Sequence, residues 1–186
     1  MENKVDVIIP NYNQTTLLSR AVESALIQGE PIHQIIIIDD GSDEETNQYM
    51  ITTFSGMEKI KIIRSSRYGH PGIMRDIGLS NSDSEWIAFL DADDFWESEK
   101  IERQLKFALD NNLKVICSNG FICRNSARVK RIYEFDSAPT LTTTTLMRDN
   151  LVVNSSVLIH RDCFQKIGGY PRDYFLRGVE DFSTWL

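Results

Sequence analysis

A short run of apolar residues, Trp86 to Leu90, ends abruptly in three carboxylates, Asp91, Asp93 and Asp94. Aromatic and branched side chains at successive positions are typical of a strand that is buried on both faces. Such a strand needs a layer of structure on each side of its sheet, which favours an α/β fold with helices around a central sheet. The three acidic residues then lie where the strand leaves the sheet.

The first 112 residues alternate between strand and helix patterns. Strands are predicted at 5–10, 34–38, 59–64 and 86–90, and helices from 15 to a breaker at 29–31, then at 42–54, 72–80 and 97–111. This alternation, with short connecting loops, predicts a mostly parallel sheet that is covered on both faces. The carboxyl ends of such strands meet at one edge, where open α/β sheets bind their ligands.

Two local details of these helices are also predicted. Ser42 and Glu45 have the spacing of a capping box that opens the second helix. The inward face of the third helix is predicted to carry Ile73, Ile77 and Ser80. Arg75 of the same helix is then free to point at a ligand.

The alternation is lost after residue 112. Strands are predicted at 115–118, 121–124, 129–135 and 155–160, with a turn at 125–126, a loop or helix start at 142–145 and a short helix at 162–167. We interpret 1–186 as a single domain with a regular half, 1–112, and a smaller mixed half, 113–186. Residues 178–186 are typical of a helix that has only begun, so we expect the chain to have been cut there.

Composition and charge restrict the function further. The 186 residues are 41% hydrophobic and 25% charged, as in a soluble globular protein. A net charge of −7 argues against a nucleic-acid surface, which needs a basic stripe. The sequence lacks a signal region and a segment long enough to span a bilayer, which predicts a cytoplasmic protein or the cytoplasmic face of a larger assembly.

The three cysteines and three histidines do not predict a zinc site or a disulfide framework. The cysteines are odd in number and lack the paired spacing of zinc ligands. A surface or packing role is predicted for each of His33, His70 and His160. The reducing environment that free cysteines indicate agrees with a cytoplasmic location.

The acidic turn has two interpretations at this point. Asp91, Asp93 and Asp94 repel one another, so they need either good hydration or a bound positive group. Mg²⁺ and Mn²⁺ prefer oxygen ligands, and Mg²⁺ commonly uses one or two carboxylates together with waters and substrate phosphates. The turn is therefore a divalent-cation site or a solvated cap of the following helix, and its location after a buried strand favours the cation site.

Five stretches occur in an order and spacing that resemble one enzyme family. They are 7–13 (VIIPNYN), 37–42 (IIDDGS), 72–78 (GIMRDIG), 89–94 (FLDADD) and the pair Glu180–Asp181. Together they resemble glycosyltransferase family 2, an inverting family with the GT-A nucleotide-sugar fold. The resemblance implies a nucleotide-sugar-binding half at 1–112 and an acceptor-side half at 113–186.

The resemblance implies a pocket for a nucleoside-diphosphate sugar, with a UDP-sugar as the expected donor. Asp39 would accept a charge-assisted hydrogen bond from the N–H group of a uracil ring. Pro10, Asn11 and Tyr12 would line the same pocket. Capping of the next helix is the alternative role of Asp39 or Asp40, and simple packing is the alternative role of Tyr12.

Arg75 matches the family position whose guanidinium group approaches the nucleotide, and a surface ion pair is its alternative role. Met74 and Asp76 flank the arginine here in place of the family's usual alanine and asparagine. This difference affects the fine contacts of the implied pocket.

Asp91 and Asp93, with Ala92 between them, match the family's Asp-x-Asp motif. The resemblance implies that Asp93 binds Mn²⁺ or Mg²⁺ directly, while Asp91 holds the ribose or a metal-bound water. The cation would neutralise the charge that develops on the leaving nucleoside diphosphate. Ala92 would lie beside the nucleotide.

Asp181 matches the family's catalytic base. Inversion needs one base on the sugar face opposite the diphosphate, where it removes the proton of the acceptor hydroxyl. Glu180 would support the acceptor or the loop before it. The alternative is that both residues are helix-opening acids stabilised by the helix dipole.

Two other functions compete with glycosyl transfer. A sugar nucleotidyltransferase needs a glycine-rich, basic loop after the first strand, and residues 10–16 contain neither feature. A domain that binds a sugar nucleotide without turnover remains open, because the sequence does not reveal the acceptor side. The family resemblance implies a saccharide or lipid-linked saccharide acceptor, cell-surface polysaccharide synthesis, and peripheral association with the inner face of the membrane.

Overall fold

The computed structural model describes residues 3–124, 127–134 and 139–186. Its strands are β1 (Val5–Asn11), β2 (Ile32–Asp39), β3 (Ile60–Arg64), β4 (Trp86–Phe89), β5 (Val115–Ile116), β6 (Phe121–Arg124), β7 (Ala127–Arg131) and β8 (Leu158–His160). The main sheet has the order β3-β2-β1-β4-β8-β5, and β6 pairs with β7 in a separate hairpin.

The four strands of the first half are parallel, as predicted. β1 pairs with β2 on one side and with β4 on the other, and β2 pairs with β3. β8 runs antiparallel to β4 and also antiparallel to β5, where Val115 lies opposite Ile159. The mostly parallel sheet is confirmed. Its antiparallel strands, β8 and β5, lie together on one side of it.

Helices cover both faces of this sheet. They are α1 (Thr16–Leu26), α2 (Glu44–Phe54), α3 (Pro71–Ser80), α4 (Lys100–Asn111), α5 (Thr143–Leu146), α6 (Arg161–Ile167) and α7 (Glu180–Trp185). Within the described ranges, no helix has the length and apolar character that a bilayer crossing requires.

Strand β2 is buried on both of its faces, and its four consecutive isoleucines fill the core on each side. Ile35 and Ile37 pack in one hydrophobic cluster, to which α1, α2 and α4 contribute. Ile36 and Ile38 pack in a second cluster on the opposite face, with α3 and α6. All four side chains are fully buried, because successive side chains of a strand point to opposite faces.

The predicted capping box of α2 is wrong. Asp43 is the N-cap residue, and its carboxylate accepts a hydrogen bond from the Thr46 amide at 2.8 Å. The Ser42 hydroxyl instead donates to the carboxylate of Asp39 at the end of β2. The strand-end carboxylate therefore competes successfully for the hydroxyl that the capping pattern assigned to the helix.

The predicted inward face of α3 is also wrong in part. Met74, Arg75 and Gly78 are buried, whereas Ser80 is exposed and Ile77 is only half-buried. The prediction left Arg75 off the inward face and free to point at a ligand. Arg75 instead pairs with the buried carboxylate of Glu180 and the half-buried carboxylate of Asp91, so the helix turns this residue toward the interior.

The second half differs from its prediction mainly in the lengths of its elements. The stretch predicted as a strand at 155–160 divides into a 3₁₀ turn, Asn154–Ser156, and β8. Thr142 caps α5 through reciprocal hydrogen bonds with Thr145. The turn predicted at 125–126 and the predicted strand end at 135 lie outside the described residues.

Gly78 allows α3 to approach β1 closely. A Cβ atom at this position would lie 2.5 Å from Ile8 Cγ2 and 3.1 Å from Ile38 Cδ1. We expect Gly78→Ala to lower the free energy of unfolding by about 1–3 kcal/mol in urea titrations, because overpacking outweighs the gain in helix propensity. Ser80→Ala, at an exposed position of the same helix, should change it by less than about 0.5 kcal/mol. Equal stability of the two variants would contradict the tight contact.

Candidate active site

The carboxyl ends of the central strands lie side by side at one edge of the sheet. Asn11 at the end of β1 is in register with Asp39 at the end of β2. The Leu90 amide donates to the Ile8 carbonyl at 3.1 Å, and Asp91 follows directly. The predicted donor-site residues of the first half therefore share this edge.

Arg75 connects this edge to the last helix. Its Nη2 atom donates to Asp91 Oδ1 at 2.7 Å, and its Nη1 atom donates to Glu180 Oε1 at 3.0 Å. Only 4% of Arg75 is exposed. The prediction of a freely pointing Arg75 is wrong, because two carboxylates from distant segments hold the guanidinium group in the interior.

The charge of Arg75 is secured by its surroundings. Burial alone would lower the pKa of Arg75, but the carboxylates of Asp91 and Glu180 raise it above its ordinary value. With its amide oxygen toward Arg75, Asn154 accepts hydrogen bonds from Nη2 and Nε at 3.1 and 3.2 Å and donates to Tyr170 Oη at 3.0 Å. Every guanidinium nitrogen then has an acceptor, which fixes the orientation of the group.

Glu180 is a buried link between α3 and α7. It is 3% exposed, and its Oε2 atom accepts a hydrogen bond from the Gly178 amide at 2.6 Å. Since Oε1 is bonded to Arg75, both carboxylate oxygens have partners within the chain. This geometry suits the predicted support of the loop before α7.

Asp181 is half-buried on the first turn of α7. Burial raises the pKa of Asp181, the Phe182 amide and Arg75 oppose this rise, and the carboxylates of Glu180 and Asp91 reinforce it. The net effect is a pKa above the ordinary value of an aspartate. A carboxylate with a raised pKa is a stronger proton acceptor, as general base catalysis requires.

Asp76 explains how the loop before α7 is held. Its carboxylate accepts hydrogen bonds from the Tyr170 amide and from Arg172 Nε, both at 2.8 Å. A Cβ atom on Gly169 would lie 2.6 Å from Asp76 Oδ1, so glycine is required for this approach. The aspartate that departs from the usual family pattern therefore anchors the segment that leads to Asp181.

Ser155 organises the acidic turn after β4. Its hydroxyl donates to Asp94 Oδ2 at 2.6 Å and accepts a hydrogen bond from the Asp91 amide at 3.0 Å. The turn does not cap α4, whose N-cap residue is Glu99 and has no side-chain cap bond. The capping interpretation of the acidic turn is therefore wrong.

The acidic turn fits a hard divalent cation. Asp93 is exposed, and its carboxylate has no hydrogen-bond partner among the described residues. One oxygen of Asp91 is bonded to Arg75, which leaves the other for a ligand. One or two carboxylates at such a site are sufficient for Mg²⁺ or Mn²⁺ when substrate phosphates complete the coordination.

The carboxylate of Asp39 is fully buried and already has hydrogen-bond partners within the chain. It has no exposed surface, its Oδ2 atom accepts a hydrogen bond from the Ser42 amide at 3.2 Å, and its Oδ1 atom accepts one from the Ser42 hydroxyl. Arg64 Nε lies 3.8 Å from Oδ2. A base that donates to Asp39 must therefore displace one of these groups.

Asp40 anchors the loop that follows β3. Its carboxylate accepts hydrogen bonds from the amides of Tyr68 and Gly69 at 2.6 and 2.8 Å, and it also pairs with the Arg67 guanidinium. Arg67 Cζ lies 3.6 Å from the centroid of the Tyr12 ring. Tyr12 remains 44% exposed, so its ring still offers surface to a ligand.

The other predicted pocket residues differ in accessibility. Pro10 is half-buried beside Tyr12, and Asn11 is only 2% exposed. Asn11 Oδ1 is buried and lacks a hydrogen-bond partner among the described residues. Ala92 is 6% exposed and packs in the hydrophobic core, so it supports the acidic turn from within.

A second acidic group lies at the opposite ends of the strands, where β1, β2 and β4 begin. Among the described residues, Asp6, His33 and Asp83 have ligand atoms close enough to hold a cation. Asp6, however, accepts hydrogen bonds from Ser82 Oγ at 2.6 Å and from Ser84 Oγ at 2.7 Å. Burial alone would raise the pKa of Asp6, but these hydrogen bonds lower it below its ordinary value. We therefore interpret the group as a structural anchor.

Most of the chain matches one known protein family. The model of the family described as glycosyl transferase family 2 matches residues 6–168. The chain belongs to this family. The match includes Arg75 and the acidic turn of the family 2 chain, and α7 lies beyond it.

Two relatives illustrate the range of similarity to this glycosyltransferase family 2 chain. An uncharacterized glycosyltransferase of Rickettsia felis is 40% identical over 112 residues, which are 60% of this chain and 18% of that protein. The UDP-Glc:alpha-D-GlcNAc-diphosphoundecaprenol beta-1,3-glucosyltransferase WfgD of Escherichia coli is 26% identical over 182 residues, which are 98% of this chain and 68% of that protein.

Solved structures confirm the GT-A fold. TarS 1–349 of Staphylococcus aureus in complex with UDP has a TM-score of 0.78 and 20% identity, over 97% of this chain and 53% of that one. The mannosyltransferase PcManGT of Pyrobaculum calidifontis, in complex with GDP-Man and Mn²⁺, has a TM-score of 0.71 and 15% identity, over 97% of this chain and 50% of that one.

Sequence reasoning missed three residues of the site: Asn154, Ser155 and Tyr170. Asn154 lies just before a predicted strand and was given no predicted element, Ser155 is the first residue of that strand, and Tyr170 lies in a predicted turn. Polar residues 154–156 interrupt an otherwise apolar stretch at 151–159. Such an interruption indicates buried polar groups that need partners, and this pattern could have identified the first two.

Proposed function

We propose that this chain is the catalytic domain of a metal-dependent inverting glycosyltransferase. It would move a sugar from a UDP-sugar to a hydroxyl acceptor. The observation that carries the proposal is the Arg75 bridge, which joins Asp91 of the acidic turn to Glu180, the neighbour of Asp181. This bridge would hold the proposed metal ligand Asp91 and the residue next to the proposed base in one rigid unit, as transfer between two bound substrates requires.

The first part of the proposal concerns the donor site, at the carboxyl ends of β1 and β2. Tyr12 would stack against the base, and Asp39 would accept its N–H group once the Ser42 hydroxyl has moved. UDP as the nucleotide is supported by the UDP complex of TarS and by the UDP-Glc in the name of WfgD.

The second part of the proposal concerns the cation, with Asp93 as its direct ligand and Asp91 as the second ligand. When bound, Mn²⁺ or Mg²⁺ supplies charge neutralisation for the departing diphosphate. Asp93 would present its exposed carboxylate to the cation that the substrate phosphates share, and the bond to Arg75 would leave one oxygen of Asp91 free. The Mn²⁺ complex of PcManGT supports this choice of cation.

The third part of the proposal concerns the reaction, with Asp181 as the general base. Its carboxylate would remove the proton of the acceptor hydroxyl as that oxygen attacks the anomeric carbon and the bond to the diphosphate breaks. Glu180 would be a positioning residue. Its bonds to Arg75 and to the Gly178 amide would fix the start of α7, and with it Asp181. One base is sufficient for inversion.

The biological setting we propose is cell-surface polysaccharide synthesis on the cytoplasmic side of the membrane. The names of WfgD and of the putative teichuronic acid biosynthesis glycosyltransferase TuaG of Bacillus subtilis support it. The acceptor would be a saccharide or a lipid-linked saccharide. Peripheral association with the membrane would follow from a lipid-linked acceptor.

Calorimetric titration of UDP, with Mn²⁺ and then with a chelator, tests the donor site. We expect Asp93→Ala to weaken Mn²⁺-dependent UDP binding at least about tenfold, because a direct ligand is lost. Asp110→Ala, which removes an exposed carboxylate of α4, should leave the affinity unchanged. Equal UDP affinity with metal and with chelator would overturn the metal assignment, and absence of UDP binding would overturn the proposed donor.

A further inference from the structure

Three polar side chains, spaced four residues apart, lie along α1 and the turn that follows it. They are Arg20, Ser24 and Gln28, and we call them the polar row. Residues four apart in a helix are neighbours on its surface. Each member of the row makes a hydrogen bond to the backbone of residues 93–101, the segment that begins in the acidic turn. The row therefore holds this segment against α1.

Arg20 is the member of the polar row that reaches the proposed metal ligand. Its Nη2 atom donates to the backbone carbonyl of Asp93 at 2.9 Å. Ser24 and Gln28 bond to backbone atoms within 96–101, beyond the acidic turn. Arg20 thus holds the turn itself, whereas the other two hold the chain that follows it.

The backbone of Asp93 determines where its carboxylate lies. That carboxylate is exposed and has no hydrogen-bond partner among the described residues. The Asp94 amide donates to the Asp91 carbonyl at 3.0 Å, which closes a turn with Asp93 inside it. The contact from Arg20 then fixes the peptide group on the far side of Asp93. The direction of the carboxylate depends on both of these backbone contacts.

Packing alone does not explain the position of the Arg20 side chain. Its Cζ atom lies 4.4 Å from the centroid of the Phe95 ring. Its Nε atom, however, is buried and has no hydrogen-bond partner among the described residues. A buried N–H group without an acceptor lowers stability, and such groups are rare enough in folded proteins to need an explanation. The contact with Asp93 supplies one.

Arg20 also brings positive charge close to the acidic turn. Burial and the carboxylates of Asp91 and Asp93 raise the pKa of Asp94 above its ordinary value, and the Ser155 hydroxyl and Arg20 oppose this rise. A positive charge repels a bound cation, so on charge alone Arg20 would weaken metal binding. Its effects through charge and through position are therefore opposite in sign.

We propose that Arg20 is a positioning residue of the cation site, which holds the Asp93 carbonyl so that the Asp93 carboxylate is presented to the cation. This inference rests on the proposed function, because it takes Asp93 as the direct ligand. α1 begins at Thr16, shortly after Tyr12 of the proposed base pocket. The nucleotide side and the cation side of the donor site are then connected through one helix.

Calorimetric titration of UDP, with Mn²⁺ and then with a chelator, measures the role of Arg20. We expect Arg20→Met to reduce the gain in UDP affinity that Mn²⁺ gives at least about tenfold, because the direct ligand is no longer held in place. The affinity with the chelator should stay unchanged. Arg20→Lys keeps the charge and one donor for the Asp93 carbonyl, so it should recover most of the gain.

Gln28→Met is the matched control. It removes a member of the same polar row, which bonds to the Glu97 carbonyl and to the Ile101 amide. We expect it to lower the midpoint of urea unfolding while the effect of Mn²⁺ on UDP affinity stays normal. An equal loss of the Mn²⁺ effect in Gln28→Met would show that any loosening of residues 93–101 is sufficient, and would overturn the specific role of Arg20.

The other outcomes are equally decisive. A larger Mn²⁺ effect in Arg20→Met than in the unmodified chain would show that Arg20 acts through its charge. An Arg20→Lys variant as weak as Arg20→Met would rule out the hydrogen bond to Asp93 as the cause. A normal Mn²⁺ effect in Arg20→Met would overturn this inference alone, whereas absence of a Mn²⁺ effect in the unmodified chain would overturn the metal assignment of the proposed function.

Discussion

Asp181→Asn is expected to lower the rate of sugar transfer about 10³-fold while leaving UDP affinity unchanged. The substitution preserves the shape of the side chain and removes its capacity to accept a proton. The measurement is UDP release from UDP-glucose with a synthetic lipid-linked acceptor, together with UDP calorimetry on the same protein. Asp110→Asn serves as the control, since this carboxylate lies on the exposed surface of α4.

The pH profile gives a second test of the same residue. The pKa of Asp181 is raised by burial and by neighbouring carboxylates, and the base acts only when it is deprotonated. The rate should therefore fall on acidification at a higher pH than an ordinary aspartate would give. Asp181→Asn should lose this acidic limb along with its activity, and a variant that keeps both would sink the assignment of the base.

Arg75→Met is expected to lower the free energy of unfolding by about 3–5 kcal/mol, because it leaves the buried Glu180 carboxylate without its charge partner. Urea unfolding measures the loss. Arg103→Met, which removes an exposed arginine paired with Glu99 on α4, should cost less than about 1 kcal/mol. The comparison separates the effect of burial from the effect of losing an arginine.

A double variant shows whether the penalty arises from the uncompensated charge. In Arg75→Met/Glu180→Gln the buried carboxylate is gone, so part of the stability lost in Arg75→Met should return. If the double variant were less stable than the single one by the full additional cost of Glu180→Gln, the two side chains would act independently. That result would contradict the ion pair as the link between α3 and α7.

The central sheet could be predicted from the sequence because each of its strands and connecting helices can be recognised from a short stretch of residues. Apolar runs such as 35–38 and 86–90 identify buried strands, and the helical spacing between them identifies the connecting layers. The edge that carries Asp39 and Asp91 then follows from the rule that parallel strands end on the same side. None of these predictions depends on contacts between residues that are distant in the sequence.

The Arg75 bridge could not be predicted for the opposite reason. Arg75 and Glu180 are 105 positions apart, and each has an ordinary local role as a helix-surface charge. Their mutual burial depends on the path of residues 113–179, whose strands are short. The choice of Asp43 over Ser42 as the cap of α2 is similar, since it depends on the hydroxyl being attracted to Asp39.

The connection between β5 and β8 has an evolutionary consequence. These two strands are neighbours in the sheet, with Ile116 opposite Leu158, and the whole segment 117–157 leaves and returns at adjacent points. Doubling the length of such an excursion costs only about 0.6 kcal/mol in loop-closure entropy. Selection can therefore exchange residues 117–153 for segments of different size or charge, provided that Asn154 and Ser155 keep their contacts with Arg75 and with the acidic turn.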